Sequence, residues 1–74
     1  MKTDREIIDF IKSSEFAYAR FKFSGLGDYY SLYKKDESSP TGVSLAFGIE
    51  VEQWERLSKE AGRSNQYLGP SEKW

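Results

Sequence analysis

Apolar residues near the start of the chain recur with the period of a helix. Four of them fall on one side of a single helical turn: Ile7, Ile8, Phe10 and Ile11. Thr3 and Glu6 have the spacing of a capping box, and the pair Ser13 and Ser14 is expected to end the helix. The pattern therefore predicts a short N-terminal helix that begins after Thr3.

Three later segments change to the alternation of a strand: residues 16–23, 29–35 and 43–49. The glycine-rich stretch 24–28 is typical of a hairpin connection. The polar stretch 36–42, which contains Pro40, should end the second strand. The third segment has large apolar residues at every odd position and small ones between, and is the clearest strand in the chain.

The C-terminal part begins with a second helical pattern over residues 50–61. Four residues form its apolar stripe: Val51, Trp54, Leu57 and Ala61. Gly62 is a natural C-terminal stop. Residues 63–74 have no sustained period and are expected to be an irregular tail, from which Tyr67, Leu68 or Trp74 is available to pack on the body.

This order predicts one α+β domain over residues 1–74, with the arrangement α-β-β-β-α. We expect a three-stranded antiparallel β-meander with both helices packed on one face. Strict alternation assigns the side facing the helices to Ala17, Ala19, Phe21, Phe23, Tyr30, Leu32, Val43, Leu45, Phe47 and Ile49. The opposite, open face then carries Phe16, Tyr18, Arg20, Lys22, Tyr29, Ser31, Tyr33, Lys35, Ser44, Ala46 and Gly48.

The amino-acid composition argues against several classes of function. The 74 residues are 38% apolar and include five Phe, five Tyr and two Trp, which is enough for a modest core. The chain has no Cys and no His, so it lacks disulfides, thiolate metal sites and the commonest general base. No spacing of acidic residues matches a calcium loop, and no glycine motif matches a phosphate-binding loop. We therefore predict no enzymatic activity, no metal and no cofactor.

The distribution of charge indicates what kind of partner to expect, and the hydropathy indicates the compartment. The net charge is -1, but residues 16–35 carry four cations against one acid, whereas residues 50–62 carry four Glu against two cations. The sheet is thus expected to be basic and the second helix acidic. No apolar run is long enough for a signal peptide or a membrane span, which predicts a cytoplasmic protein without a membrane partner.

Two hypotheses of function follow from the open face, whose proposed contacts are Phe16, Tyr18, Arg20, Lys22, Tyr29, Tyr33 and Lys35. The first is a small binding protein, of the type used by phages and bacterial conflict systems, that inhibits or modulates a larger protein or nucleoprotein complex by occupying its surface. The alternative is a module for single-stranded DNA or RNA, with bases stacked on the rings and phosphates beside the cations.

Two further interpretations remain open. The exposed sheet or its edge is suited to homodimerisation. The acidic residues of the second helix are suited to mimicking phosphates toward a nucleic-acid enzyme, although such residues are more often an ordinary solvated helix face: Glu50, Glu52, Glu55 and Glu60.

Overall fold

The structure, a computed structural model, describes residues 2–68. Its elements, in chain order, are α1 (Asp4–Lys12), β1 (Phe16–Lys22), β2 (Tyr29–Lys35), β3 (Val43–Glu50), α2 (Val51–Glu60) and β4 (Tyr67–Leu68). The predicted α-β-β-β-α order and the antiparallel sheet are confirmed. The predicted element boundaries agree with the observed ones to within a residue or two.

The sheet contains one strand more than the sequence pattern predicts. Its order is β3-β2-β1-β4, with β1, β2 and β3 antiparallel and β4 parallel to β1. Gln66 fixes β4 at this edge, because its backbone oxygen accepts from the Ala19 N–H at 3.0 Å and its Nε2 donates to the Ala17 oxygen at 3.2 Å. Part of the expected irregular tail is therefore a short strand; residues 69–74, including Trp74, lie outside the described residues.

Both helices begin where side chains satisfy the first free N–H groups. The predicted capping box of α1 is present: the Glu6 N–H donates to Thr3 Oγ1 at 3.2 Å, and the Thr3 N–H donates to Glu6 Oε1 at 3.3 Å. In α2, the N–H of Glu50 donates to Gln53 Oε1 at 3.1 Å. These bonds fix where each helix begins, and α2 begins directly after the last residue of β3.

An aromatic cluster joins the helices to the sheet. Trp54 of α2 lies against the rings of Phe16, Tyr30 and Tyr67, with centroid distances of 6.1, 5.5 and 6.4 Å. The buried apolar residues are Ile7, Ile11, Phe16, Ala19, Tyr30, Leu32, Ile49, Trp54 and Leu57. Tyr67 thus packs on the body, as expected of one of the tail residues. Burial raises the pKa of the Tyr30 phenol.

Two β-bulges change which residues face the helices. In β1 the register shifts between Phe16, which is opposite Lys34, and Tyr18, which is opposite Tyr33. In β3 it shifts at Ala46, because Phe47 lies opposite Leu32 but Leu45 lies opposite Tyr33. A bulge adds one residue to one strand, so the alternation of side chains reverses on passing it.

The core predicted by strict alternation is therefore only partly right. Tyr30, Leu32, Ala19 and Ile49 are buried as expected, and Phe21 and Phe47 are partly buried against the core. The predictions for three other residues are wrong. Leu45 is 59% exposed and Val43 lies opposite Lys35, because the bulge at Ala46 turns both toward the open side. Phe23 is 70% exposed; it follows the last residue of β1, and its ring contacts that of Phe21.

Two serines at the helices make a matched test of hydrogen bonding. Ser58 Oγ is buried in α2 and has no hydrogen-bond partner among residues 2–68, whereas Ser13 Oγ donates to the Phe10 oxygen at 2.7 Å at the end of α1. We expect Ser58→Ala to raise the free energy of unfolding by about 1 kcal/mol, since a buried unpaired hydroxyl is costly and alanine favours a helix. Ser13→Ala should lower it by about 1 kcal/mol. Urea unfolding of both variants measures the difference, and a loss of stability in Ser58→Ala would contradict this interpretation.

Candidate functional site

The side of the sheet opposite the helices is the candidate functional surface. We call it the open face and define it by the register of the three antiparallel strands, whose paired residues share a side. Its members are Tyr18, Arg20 and Lys22 of β1, Tyr29, Ser31, Tyr33 and Lys35 of β2, and Val43, Leu45, Gly48 and Glu50 of β3. Six of the seven predicted contact residues therefore lie together.

Phe16 is the exception, and its assignment to the open face is wrong. Its side chain is 1% exposed and lies under the helices, with its ring 5.7 Å from Phe10 and 6.1 Å from Trp54. The bulge between Phe16 and Tyr18 is the cause, because it turns the first residue of β1 to the side opposite Tyr18. Phe16 thus belongs to the core and not to a binding surface.

An apolar row crosses the open face from β1 to β3. Tyr18 lies opposite Tyr33, and Tyr33 lies opposite Leu45. The two tyrosine rings are stacked, 5.2 Å apart and tilted by 10°. We call these three residues the Tyr-Tyr-Leu row. Leu45 is the member that the sequence pattern missed, because nothing in the pattern marks Ala46 as a bulge.

The next row of the open face contains two small residues, Ser31 and Gly48. Arg20 lies opposite Ser31, and Ser31 lies opposite Gly48. Ser31 is only 5% exposed although it is on the side away from the helices. A Cβ on Gly48 would lie 3.5 Å from Cδ2 of Tyr29, so this ring lies beside the glycine.

The open face is also positively charged. It carries Arg20, Lys22 and Lys35, and Glu50 is the carboxylate paired in register with Tyr29 at one end. Among the strand residues that the structure describes, three cations against one carboxylate give this side an excess of positive charge, although the whole chain has a net charge of -1. A ligand of this surface would combine apolar contacts with negative charge.

The alternative acidic surface on α2 is less uniform than its four glutamates suggest. Helical spacing places Arg56 and Lys59 between Glu52, Glu55 and Glu60 on the solvent side of the helix. Arg56 also contacts Glu52 at 3.2 Å and Asp4 of α1 at 2.9 Å. The hydrogen bond to Asp4 raises the pKa of the Arg56 guanidinium. This helix face is a mixed-charge surface that joins α2 to α1.

The described residues contain no cluster of three or more acidic side chains that could hold a metal ion. Neither of the helices within residues 2–68 has the length and apolar character needed to cross a membrane.

Comparison of the chain with protein-family models, with curated proteins and with solved structures finds no match.

Proposed function

We propose that this protein is a non-enzymatic binding protein that inhibits or modulates a larger protein or nucleoprotein complex by covering its surface with the open face. Proteins of this kind are used by phages and bacterial conflict systems. The observation that supports the proposal is the Tyr-Tyr-Leu row, which presents apolar surface on the side of the sheet that neither helix covers. Aromatic side chains and arginine are enriched at the energetic centres of protein interfaces.

The partner surface expected from this chemistry is an apolar patch bordered by carboxylates. Leu45 and the rings of Tyr18 and Tyr33 would supply the buried centre of the interface, and Lys35 would lie at its rim. Charges at a rim mainly speed association and select the partner, while the buried centre supplies most of the affinity.

Single-stranded nucleic acid is the second candidate ligand, since tyrosines and cations share the surface. Two observations favour a protein over it. The stacked rings of Tyr18 and Tyr33 cover one side of each other, which leaves fewer ring faces for bases. Leu45, the most exposed member of the row, has no aromatic face to stack on.

The proposal is tested by capture with matched baits. We expect a protein retained from cell extract by the wild type to be lost with the double variant Tyr18→Ala, Tyr33→Ala, and to be retained by Leu26→Ala, whose side chain is fully exposed in the β1–β2 loop. Titration calorimetry with that purified protein should show a loss of about 2 to 4 kcal/mol of binding free energy in the double variant. Equal binding by both baits would place the interface elsewhere.

A fluorescence titration separates the two ligand classes. We expect no saturable change in tyrosine and tryptophan emission when mixed-sequence single-stranded DNA or RNA is added at physiological salt. Saturable quenching that weakens steeply with salt, and that disappears in the Tyr18→Ala, Tyr33→Ala variant, would replace the protein-binding proposal with the nucleic-acid one.

A further inference from the structure

A cavity of about 610 Å³ lies beside β3, the strand at one edge of the sheet. Its lining includes the four consecutive residues 47–50 of β3, together with Tyr29 of β2, Lys2 and Ile7 of the N-terminal segment, and Gln53 of α2. Successive residues of a strand point to opposite faces, so a cavity lined by all four follows the backbone of β3. We call this space the edge cleft. Its volume is typical of a ligand site.

The backbone of β3 is free for pairing along the edge cleft. Its inner side pairs with β2, and within residues 2–68 no strand pairs with its outer side. The strand contains no Pro, Lys or Arg, the residues that commonly block pairing at an edge. Beyond the bulge at Ala46, its pairing with β2 is regular from Phe47 to Glu50. The outer N–H and C=O groups of this segment are therefore suited to pair with an added strand.

The two faces of this segment differ in the side chains that they can accept from an added strand. Ile49 pairs with the buried Tyr30 and is on the helix side, where Ile7 also lines the edge cleft. Gly48 is on the open face, and the ring of Tyr29 lies beside it. Because paired residues share a side, a large apolar side chain fits opposite Ile49 and a small one fits opposite Gly48.

Opposite charges lie at the two ends of the segment. The Lys2 ammonium is 5.1 Å from the centroid of the Phe47 ring, and Glu50 carries a carboxylate at the other end. Phe47 and Glu50 are three positions apart, which is about 10 Å along a strand. An added strand complements both charges when it has an acidic residue opposite Phe47 and a basic residue opposite Glu50.

We propose that the edge cleft binds an extended peptide segment of a partner protein as an added strand on β3. In the direction from Phe47 to Glu50, the residues of this segment are acidic, small, large and apolar, and basic. Main-chain hydrogen bonds supply affinity, while the cleft and the two charges select the sequence. This inference does not depend on the proposed function, because it uses the edge of the sheet and not the Tyr-Tyr-Leu row.

Two peptides of identical composition and zero net charge test the proposal. Acetyl-Ser-Lys-Phe-Ala-Glu-Ser-amide matches an antiparallel added strand, and acetyl-Ser-Glu-Ala-Phe-Lys-Ser-amide matches a parallel one. Each is titrated into isotope-labelled protein, and the amide chemical shifts are followed by NMR. We expect one peptide to shift the amides of Phe47, Gly48 and Ile49 with a Kd of about 0.1 to 1 mM, and the other to bind about tenfold more weakly. Equal binding of both peptides, or no saturable shift at these amides up to about 10 mM peptide, would overturn the proposal.

Changes to the backbone and the charges identify the contacts. The better peptide, N-methylated at its four central residues, keeps its side chains but loses the N–H groups needed for strand pairing, and it should bind about tenfold more weakly or worse. Unchanged binding of this peptide would contradict strand addition.

Lys2→Glu should weaken binding of the better peptide by about two- to fivefold, and replacing the glutamate of the peptide by lysine should restore it. Lys12→Glu, the same change at the other end of α1, is the control and should bind as the wild type does. A Lys2→Glu variant that binds no differently from Lys12→Glu would contradict the assigned register. The Tyr18→Ala, Tyr33→Ala variant should bind the peptide normally even when it loses the captured partner, so the two proposals can fail separately.

Discussion

Phe16→Ala is expected to lower the free energy of unfolding by about 3 to 5 kcal/mol. The ring is almost completely buried between Phe10 of α1 and Trp54 of α2, so its removal leaves a cavity where both helices meet the sheet. A domain of 74 residues has a total stability of about 4 to 11 kcal/mol. The variant should therefore lose a large part of this stability, as urea or thermal unfolding monitored by far-UV circular dichroism would show.

Phe23→Ala is the control for this measurement. Phe23 is also an aromatic residue of the first strand segment, but it is mostly exposed and its ring contact is with Phe21 at 5.1 Å. Loss of one such contact should cost only about 1 kcal/mol. If both variants lost the same stability, Phe16 would not be a core residue, and the bulge in β1 would be placed incorrectly.

The order and type of the elements could be predicted from the sequence because each signal is local. The capping residues Thr3 and Glu6 are three positions apart, and the apolar stripe of α2 repeats within one helix. The turn-forming loops likewise separate the strands at the expected places. Such features depend on neighbours along the chain and not on the tertiary fold.

The assignment of side chains to the two faces could be predicted only where the strands are regular. Tyr30 and Leu32 of β2 face the helices as alternation requires, but Phe16 and Leu45 lie beyond a bulge and face the opposite way. A bulge is stabilised by the packing that it permits, here the burial of Phe16 against both helices. No local residue pattern at Ala17 or Ala46 indicates it.

Strand β4 escaped prediction for a related reason. Tyr67 and Leu68 are only two residues, too few to show any period. Their pairing depends on the free edge of β1 and on the bonds of Gln66 to Ala17 and Ala19, which are 49 and 47 positions away in the chain. The alternation of apolar and polar residues cannot predict a tertiary contact of this kind.

The residues of the open face depend both on the local alternation of side chains and on the bulge in β3. Local alternation identifies Tyr18, Tyr33 and the cations of β1 as neighbours on one side of the sheet. The bulge in β3 then adds Leu45 to the same side. The sequence pattern therefore predicts an aromatic and basic face, whereas the folded sheet carries a continuous apolar row with cations beside it.

The second large effect is expected for Trp54→Ala, which should lower the free energy of unfolding by about 3 to 5 kcal/mol. The ring of Trp54 contacts one aromatic side chain from each of three strands: Phe16 of β1, Tyr30 of β2 and Tyr67 of β4. Its removal opens the space between α2 and the sheet, and it also removes support from the short strand β4. Trp54→Phe keeps an aromatic ring in this space and should cost less than half as much.

Circular dichroism is the appropriate measurement, because the substitution changes the tryptophan emission itself. Val51→Ala, a smaller and partly buried residue of the same stripe, is the control and should lose about 1 kcal/mol. Trp54 lies on the helix side of the sheet, so the folded fraction of Trp54→Phe should bind the captured partner as the wild type does. Normal stability of Trp54→Ala would contradict the packing of α2. A Trp54→Phe variant that folds normally but no longer binds the captured partner would move the interaction surface from the open face to the helices.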